Sequence, residues 1–293
     1  MVDDCGKDNS INIAKRIVNK YSGNYNIKIV FHTHNQGLSA ARNTGVKNAI
    51  GDYVFFLDSD DELPENTIVT FKEYLRQHGN NVDAFVGNYI VEGPFKGRIL
   101  NNTKKIYSGN DEIFKAYINN EWYVMACGKF INRKFFLSNN LWFPEGRLHE
   151  DVYFSFKLAQ ASFKVVIINE NVYIYKIRDN SITTHKRRKN YIDQYWIISQ
   201  QLSFIDSKLS KCNIVLINNY IITILFNYLL EISLSQLNNI EKKILFSWLN
   251  KLIERKYISH LSLFNSIRLM IMYLPFNSSI YICYHLNKLF KWY

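Results

Sequence analysis

Tyr53-Val54-Phe55-Phe56-Leu57-Asp58-Ser59-Asp60-Asp61 is the stretch on which the fold of this 293-residue chain turns. Five apolar or aromatic residues in a row read as a strand buried on both faces, as in a sheet covered by helices on each side. Three carboxylates within four positions end it. Ligands of open α/β sheets bind beyond the carboxyl ends of the strands. Asp58 and Asp60 stand two apart, so both can face one ligand, one taking a sugar hydroxyl and the other a hard divalent cation that prefers oxygen. An acidic turn capping a helix that starts near Pro64 explains the same residues, and an isolated Asp-x-Asp does not choose between the two.

Upstream, Met1-Val2-Asp3-Asp4 reads as the tail of a strand running into a turn. Asp8 and Ser10 can cap a helix carrying Ile13, Ile17 and Tyr21 at i, i+4 spacing. The alternating, β-branched residues 27–31 predict a strand, and 38–49 a helix of small residues. Downstream, a helix is expected from about Pro64 to His78, followed by a strand over 82–90. Strands alternating with helices make the fold class α/β, a parallel or mixed sheet with helices on both faces. A helix from Asp111 leads to the aromatic loop Leu141-Trp142-Phe143-Pro144, then to Glu150-Asp151 at the head of another helix. Those two acids serve the helix macrodipole whatever else they do. Residues 164–168 and 172–177 read as two short strands closing the sheet, and the polar turn after them ends at His185.

After His185 the chain becomes helical and basic. Residues 186–293 carry 14 Lys and Arg against 5 Asp and Glu, a net +9 out of the +11 of the whole chain. Such a face suits anionic lipid headgroups, and a solvated helical surface explains it as well. No nucleic-acid-binding motif is recognisable, which makes nucleic acid the weaker partner. Residues 214–234 are strongly apolar but interrupted by Asn218, Asn219, Asn227 and Glu231, so a buried bundle helix or one lying on a membrane surface fits better than a transmembrane span. Residues 1–20 are polar and charged, read as no signal peptide, and the four scattered cysteines suit reduced thiols in a cytoplasm.

Taken together, the motifs over residues 1–185 resemble the family 2 glycosyltransferases of bacterial capsule, exopolysaccharide and lipopolysaccharide synthesis. Val2-Asp3-Asp4 with Asp8-Asn9-Ser10 is similar to the family's first acidic turn, with Cys5-Gly6 where Gly-Ser is usual. Asn35-Gln36-Gly37-Leu38-Ser39-Ala40-Ala41-Arg42-Asn43-Thr44-Gly45, the Asp-x-Asp, Glu150-Asp151 and Arg178-Asp179-Asn180-Ser181-Ile182-Thr183 follow in order. The resemblance implies a GT-A fold over 1–185, a basic, aromatic-rich helical region over 186–293, and a nucleoside-diphosphate-sugar donor, most often UDP-linked, with Mg²⁺ or Mn²⁺. It implies Asp4 on the base, Asp58 on the ribose, Arg42 near the nucleotide and Asp60 on the metal. Asp151 would be the general base and Glu150 an acceptor-orienting neighbour. His185 is either a further metal or phosphate contact or structural.

On this resemblance the expected reaction is inverting transfer to a hydroxyl of a growing, lipid-linked surface glycan, in the cytoplasm or at the inner face of the plasma membrane. The Trp142/Phe143 loop either stacks on acceptor sugars or belongs to the core, and core is the preferred reading. The chain departs from the family at its start, where a strand and helix that precede the acidic turn have no counterpart. That strand is central in the resembled sheet, so its absence is expected to expose two rows of unpaired backbone groups. A misplaced start codon, a broken gene or a chain completed by a partner are the three accounts. A non-catalytic remnant that binds nucleotide or serves assembly is therefore the alternative to an enzyme.

Overall fold

The computed structural model of the chain describes residues 1–93, 105–177, 186–208 and 214–290, which fall into two units. The first unit takes in residues 1–113 and 122–177, the second residues 114–121 and the C-terminal helices.

In the first unit β1 (Val2–Asp3) pairs in parallel with β2 (Val30–Phe31), Val2 lying opposite Val30, with α1 (Ser10–Lys20) between them in the chain. The strand expected over 27–31 is thus confined to its last two residues, because β1 offers only two positions for a ladder. α2 (Leu38–Asn48) buries Ser39, Ala40, Asn43 and Val46, and these small side chains let it lie close to β1. β3 (Tyr53–Phe55) is shorter than the five apolar residues predicted. Consecutive strand residues face opposite ways, and both sides are covered: Phe55 meets Phe130 with ring centroids 4.3 Å apart, while Phe56 meets Phe143 at 5.1 Å. Leu57 is exposed, since the chain has already turned away from the sheet.

After α3 (Thr67–His78), whose first turn starts three residues later than expected because Pro64 accepts a turn bond from Thr67, come β4 (Ala84–Glu92), β5 (Ile106–Ser108) and α4 (Asn110–Ile118). Then follow β6 (Lys129–Asn132), α5 (Arg133–Ser138), α6 (Glu150–Ala161) and β7 (Lys164–Lys176). Five strands make a mixed sheet in the order β3-β6-β4-β7-β5, with β4 and β7 parallel and the other pairs antiparallel. Instead of two short strands, 164–176 is one long strand. The polar Asn169-Glu170-Asn171 does not break it, because β4 shifts register alongside at Gly87, Asn88 and Tyr89. Gly87 is needed there: a Cβ would run into the side chain of Val172. The sheet is closed by β5, which no sequence pattern announced. β1 and β2 form one sheet and β3 to β7 another, so β1 pairs only with β2 and β3 only with β6 among the described residues.

The second unit is a helical bundle. α7 (Arg188–Lys208), α9 (Asn239–Leu252), α10 (Leu263–Tyr273) and α11 (Phe276–Phe290) pack around α8 (Ile214–Leu234). α8 is long and apolar enough to cross a membrane, and half of its most apolar stretch is buried within the protein. The polar residues that interrupt it are used inside: Asn218 donates to the Ser259 carbonyl at 2.9 Å, and Glu231 pairs with Lys186 at 2.7 Å.

Candidate active site

α2 carries the residues around which the site assembles. Its start is held by Asp4, whose carboxylate accepts from the backbone N–H groups of Gln36 (2.8 Å) and Gly37 (2.7 Å) and lies 2.6 Å from His32 Nδ1. Burial opposes the charge on Asp4, but these bonds outweigh it and lower the pKa. One turn along, Arg42 reaches two carboxylates from distant parts of the chain. Its Nη2 donates to Asp58 Oδ1 at 2.9 Å and Oδ2 at 3.1 Å, and its Nη1 to Glu150 Oε1 at 2.7 Å. The guanidinium also sits 5.2 Å from the ring of Phe143. Burial works against its charge, while Asp58, Cys127 and Glu150 more than offset that and raise its pKa.

The neighbouring residue, Asn43, explains why Glu150 is within reach. Its side chain donates to the Phe143 carbonyl and to Glu145, each at 3.0 Å, and accepts from the Phe143 N–H at 3.0 Å. The loop leading into α6 is thereby tied to α2. Phe143 is core, stacked on Phe154 at 4.2 Å, as preferred from the sequence. His149, with φ of 60°, takes the left-handed turn that starts α6. Asp151 then lies in the first turn of that helix, accepting from the Val152 N–H at 2.8 Å. Burial pushes its pKa up to about 6, Glu150 adds to the rise, and Arg42, the Val152 N–H and Lys129 oppose it.

Arg42, Asp58, Glu150 and Asp151 line one cavity of about 380 Å³, together with Leu38, Tyr89 and Tyr175 among others. Asp4 and Asp60 are not part of that lining. Asp60 is exposed on the turn after β3, yet its charge reaches the cavity: after burial, the carboxylates of Asp61, Asp60, Asp58 and Asp151 all raise the pKa of Tyr175. His185 and the 178–183 motif lie outside the described residues. Among the described residues no three His, Cys, Asp or Glu side chains converge as a metal cage. The oxygen donors of the turn suit a hard cation that keeps waters and takes the rest of its shell from phosphates. Asp58, with both oxygens on Arg42, is the less available donor of the pair.

Two groups at the site were not found from the sequence. Tyr173 on β7 donates its hydroxyl to Asp61 Oδ2 at 2.6 Å and accepts from the Asp58 N–H at 3.2 Å, pinning the acidic turn at both ends. The Glu62–Ile174 bridge holds the same turn against β7. Tyr173→Phe is expected to cost about 1–3 kcal/mol, the range for stranding buried partners, and to leave secondary structure intact. A melting curve superimposable on that of the parent would rule out this pinning role.

Lys129, at the start of β6, is fully buried under the Tyr123 ring (4.1 Å) and donates to the carbonyls of Tyr123 and Met125. Burial lowers its pKa to about 7, against the pull of Cys127 and Asp151. The folded chain therefore holds this proton less tightly than the unfolded one, and stability gains from this group as pH rises from about 7 towards 10.5. Lys129→Met should remove that slope from the pH dependence of urea midpoints. A charged residue opening a strand within the apolar run Phe130-Ile131 was the one signal available.

The model of glycosyl transferase family 2 matches residues 1–139. Glycosyltransferase GlyA of Streptococcus pneumoniae serotype 4 is 32% identical over 186 residues, covering 60% of this chain and 26% of GlyA. The poly(ribitol-phosphate) beta-N-acetylglucosaminyltransferase TarP of Staphylococcus aureus is 29% identical, covering 63% of this chain and 54% of TarP. The chain thus spans about a quarter of one curated relative and about half of another. The crystal structure of S. aureus TarS 1-349 in complex with UDP-GlcNAc superposes with a TM-score of 0.74 over 99% of this chain and 81% of that one, at 15% identity. That likeness is one of fold.

Proposed function

We propose that this chain, whose residues 1–139 match the model of glycosyl transferase family 2, transfers a sugar from a nucleoside diphosphate sugar to a hydroxyl of a surface glycan. The observation that carries the reading is the shared cavity: Asp58 from the end of β3 and Asp151 from the head of α6 line one space, with Arg42 bonded to Asp58 and Glu150. A UDP donor is favoured by the similarity to TarS, whose structure holds UDP-GlcNAc.

In this proposal Asp151 takes the proton of the acceptor hydroxyl as the oxygen attacks the anomeric carbon. The bond from that carbon to the phosphate oxygen breaks, and the nucleoside diphosphate departs with the electron pair. A single displacement inverts the anomeric centre. Glu150 orients the acceptor. Asp58 and Asp4 hold the nucleoside, and the Nε–H of Arg42, buried and without a hydrogen-bond partner among the described residues, is a donor in reserve for a phosphate oxygen. Asp60, with His185 beyond the described residues, would hold Mg²⁺ or Mn²⁺, which neutralises the charge growing on the phosphates. The acceptor proposed is a lipid-linked glycan of the cell surface.

The test is release of UDP from UDP-GlcNAc, UDP-glucose and UDP-galactose with Mg²⁺ or Mn²⁺ over a panel of glycan acceptors, with the product anomer read by NMR. Retention of the donor's anomeric configuration would remove the single-displacement mechanism. Calorimetric UDP binding without turnover by a folded chain would favour a non-catalytic, nucleotide-binding role.

A further inference from the structure

We propose that the outer face of α10 is a docking face for an anionic lipid bilayer. α10 is inside out. At about 100° per residue, Leu263, Ile267 and Met270 fall within an arc of about 60°, and they are 75%, 47% and 67% exposed, with Phe264 beside them at 77%. On the opposite side of the same helix, polar groups face inwards. Asn265 is buried and donates to the Asn219 carbonyl (3.0 Å) and side-chain oxygen (2.8 Å). Arg268 donates to Thr223 Oγ1 (3.1 Å) and Asn265 Oδ1 (2.9 Å), with its guanidinium 5.5 Å from the Phe226 ring. A helix whose outer side met only water would place Leu, Phe, Ile and Met inwards and Asn and Arg outwards. Four large apolar side chains left outward on one helix suit an apolar medium beyond this face.

Charge decides which apolar medium it is. Residues 255–293 contain no Asp or Glu; of their five Lys and Arg, Arg268 faces inwards and Lys256 lies 2.9 Å from Glu254, while Arg255 and Lys288 are exposed, with His260 and His285 besides. A second copy docking face to face would bring two such segments together, like charge against like. A nucleic acid would take the charge and leave the apolar arc in water. An anionic bilayer accepts both, with the arc in the acyl boundary and the basic groups among the headgroups. α11 also exposes amphipathic groups of the kind suited to a membrane–water boundary, Tyr281 and a Tyr284 ring 4.7 Å from Lys288.

The experiment is co-sedimentation of the full chain with vesicles of phosphatidylcholine, alone or with phosphatidylglycerol. Binding to the anionic vesicles is expected, weakening with salt. The combined Leu263→Ser, Phe264→Ser, Ile267→Ser and Met270→Ser variant should lose at least about tenfold in partition coefficient, with an unchanged circular-dichroism spectrum. Should that variant not fold, Arg255→Glu with Lys256→Glu gives the second reading, losing affinity for anionic vesicles alone. Absence of binding by the parent chain, or equal binding by the four-serine variant, overturns the proposal. So does a concentration-dependent dimer, seen by ultracentrifugation, that the serine variant abolishes while vesicles never bind, since that assigns the face to a second copy.

Discussion

Asp151→Asn will melt above the parent at pH 7 to 8 while turning over roughly 10²–10⁴-fold more slowly, the usual worth of a positioned general base. The two effects share one cause. Burial first, and Glu150 second, lift the Asp151 pKa from 3.8 to about 6 in the folded chain. The folded state therefore holds this proton more tightly than the unfolded state does. Native stability drops as pH climbs from 3.8 towards about 6, and above that range the ionised carboxylate burdens the fold in full. Asn carries no such charge, so the variant's advantage is absent below pH 4, grows through the same window and then levels. Turnover by the parent should rise through pH 6, where Asp151 becomes able to accept a proton. Thermal melts across pH 3–9 and initial rates measured at saturating donor check both halves. An Asn variant that is less stable at pH 8, or one that keeps its rate, would show that the carboxylate is structural.

What the sequence disclosed follows from how local each feature is. The run Tyr53 to Phe56 and the acids after it are adjacent in the chain, so a strand ending in carboxylates could be read directly, although Leu57 was wrongly placed inside. Glu150 and Asp151 open α6 as expected, because a helix start is a local event. β7 was split in two because Asn169-Glu170-Asn171 looks like a turn when the shifted register of β4 beside it is unseen. The ties that make the site are long-range. Arg42 meets partners 16 and 108 residues away, and Asn43 anchors a loop 100 residues downstream. No spacing rule reaches that far; the family resemblance supplied the members of the constellation but not Arg42's position between them. Tyr173 was invisible for the same reason, being one of two tyrosines in β7 with nothing local to tie it to Asp61 until the chain folds. α10 was read only as part of a helical, basic region, and the packing showed apolar side chains of that helix turned outwards.

Arg42→Met is expected to destabilise the chain by about 3–5 kcal/mol at pH 7, the cost of breaking a buried charge pair by removing one partner. Its side chain is 8% exposed, and Asp58 and Glu150 are 29% and 14% exposed, so solvent cannot readily take over what the guanidinium provides. Without it three carboxylates, those of Asp58, Glu150 and Asp151, share the cavity with no other basic side chain among the described residues that line it. Arg42→Lys should recover only part of the loss, because an ammonium cannot bond two carboxylates with the planar fork that spans them here. The decisive comparison adds Asp58→Asn and Glu150→Gln to Arg42→Met. If the damage is stranded charge, neutralising both acids restores most of the stability, a strongly non-additive result of the kind expected for groups in one network. If the damage is lost packing against Phe143, the triple variant stays as unstable as the single one. Urea unfolding monitored by tryptophan fluorescence separates these outcomes without substrate. A single-variant loss of under about 1 kcal/mol would place the contact with exposed ion pairs and end the view of Arg42 as the brace between the two acidic motifs.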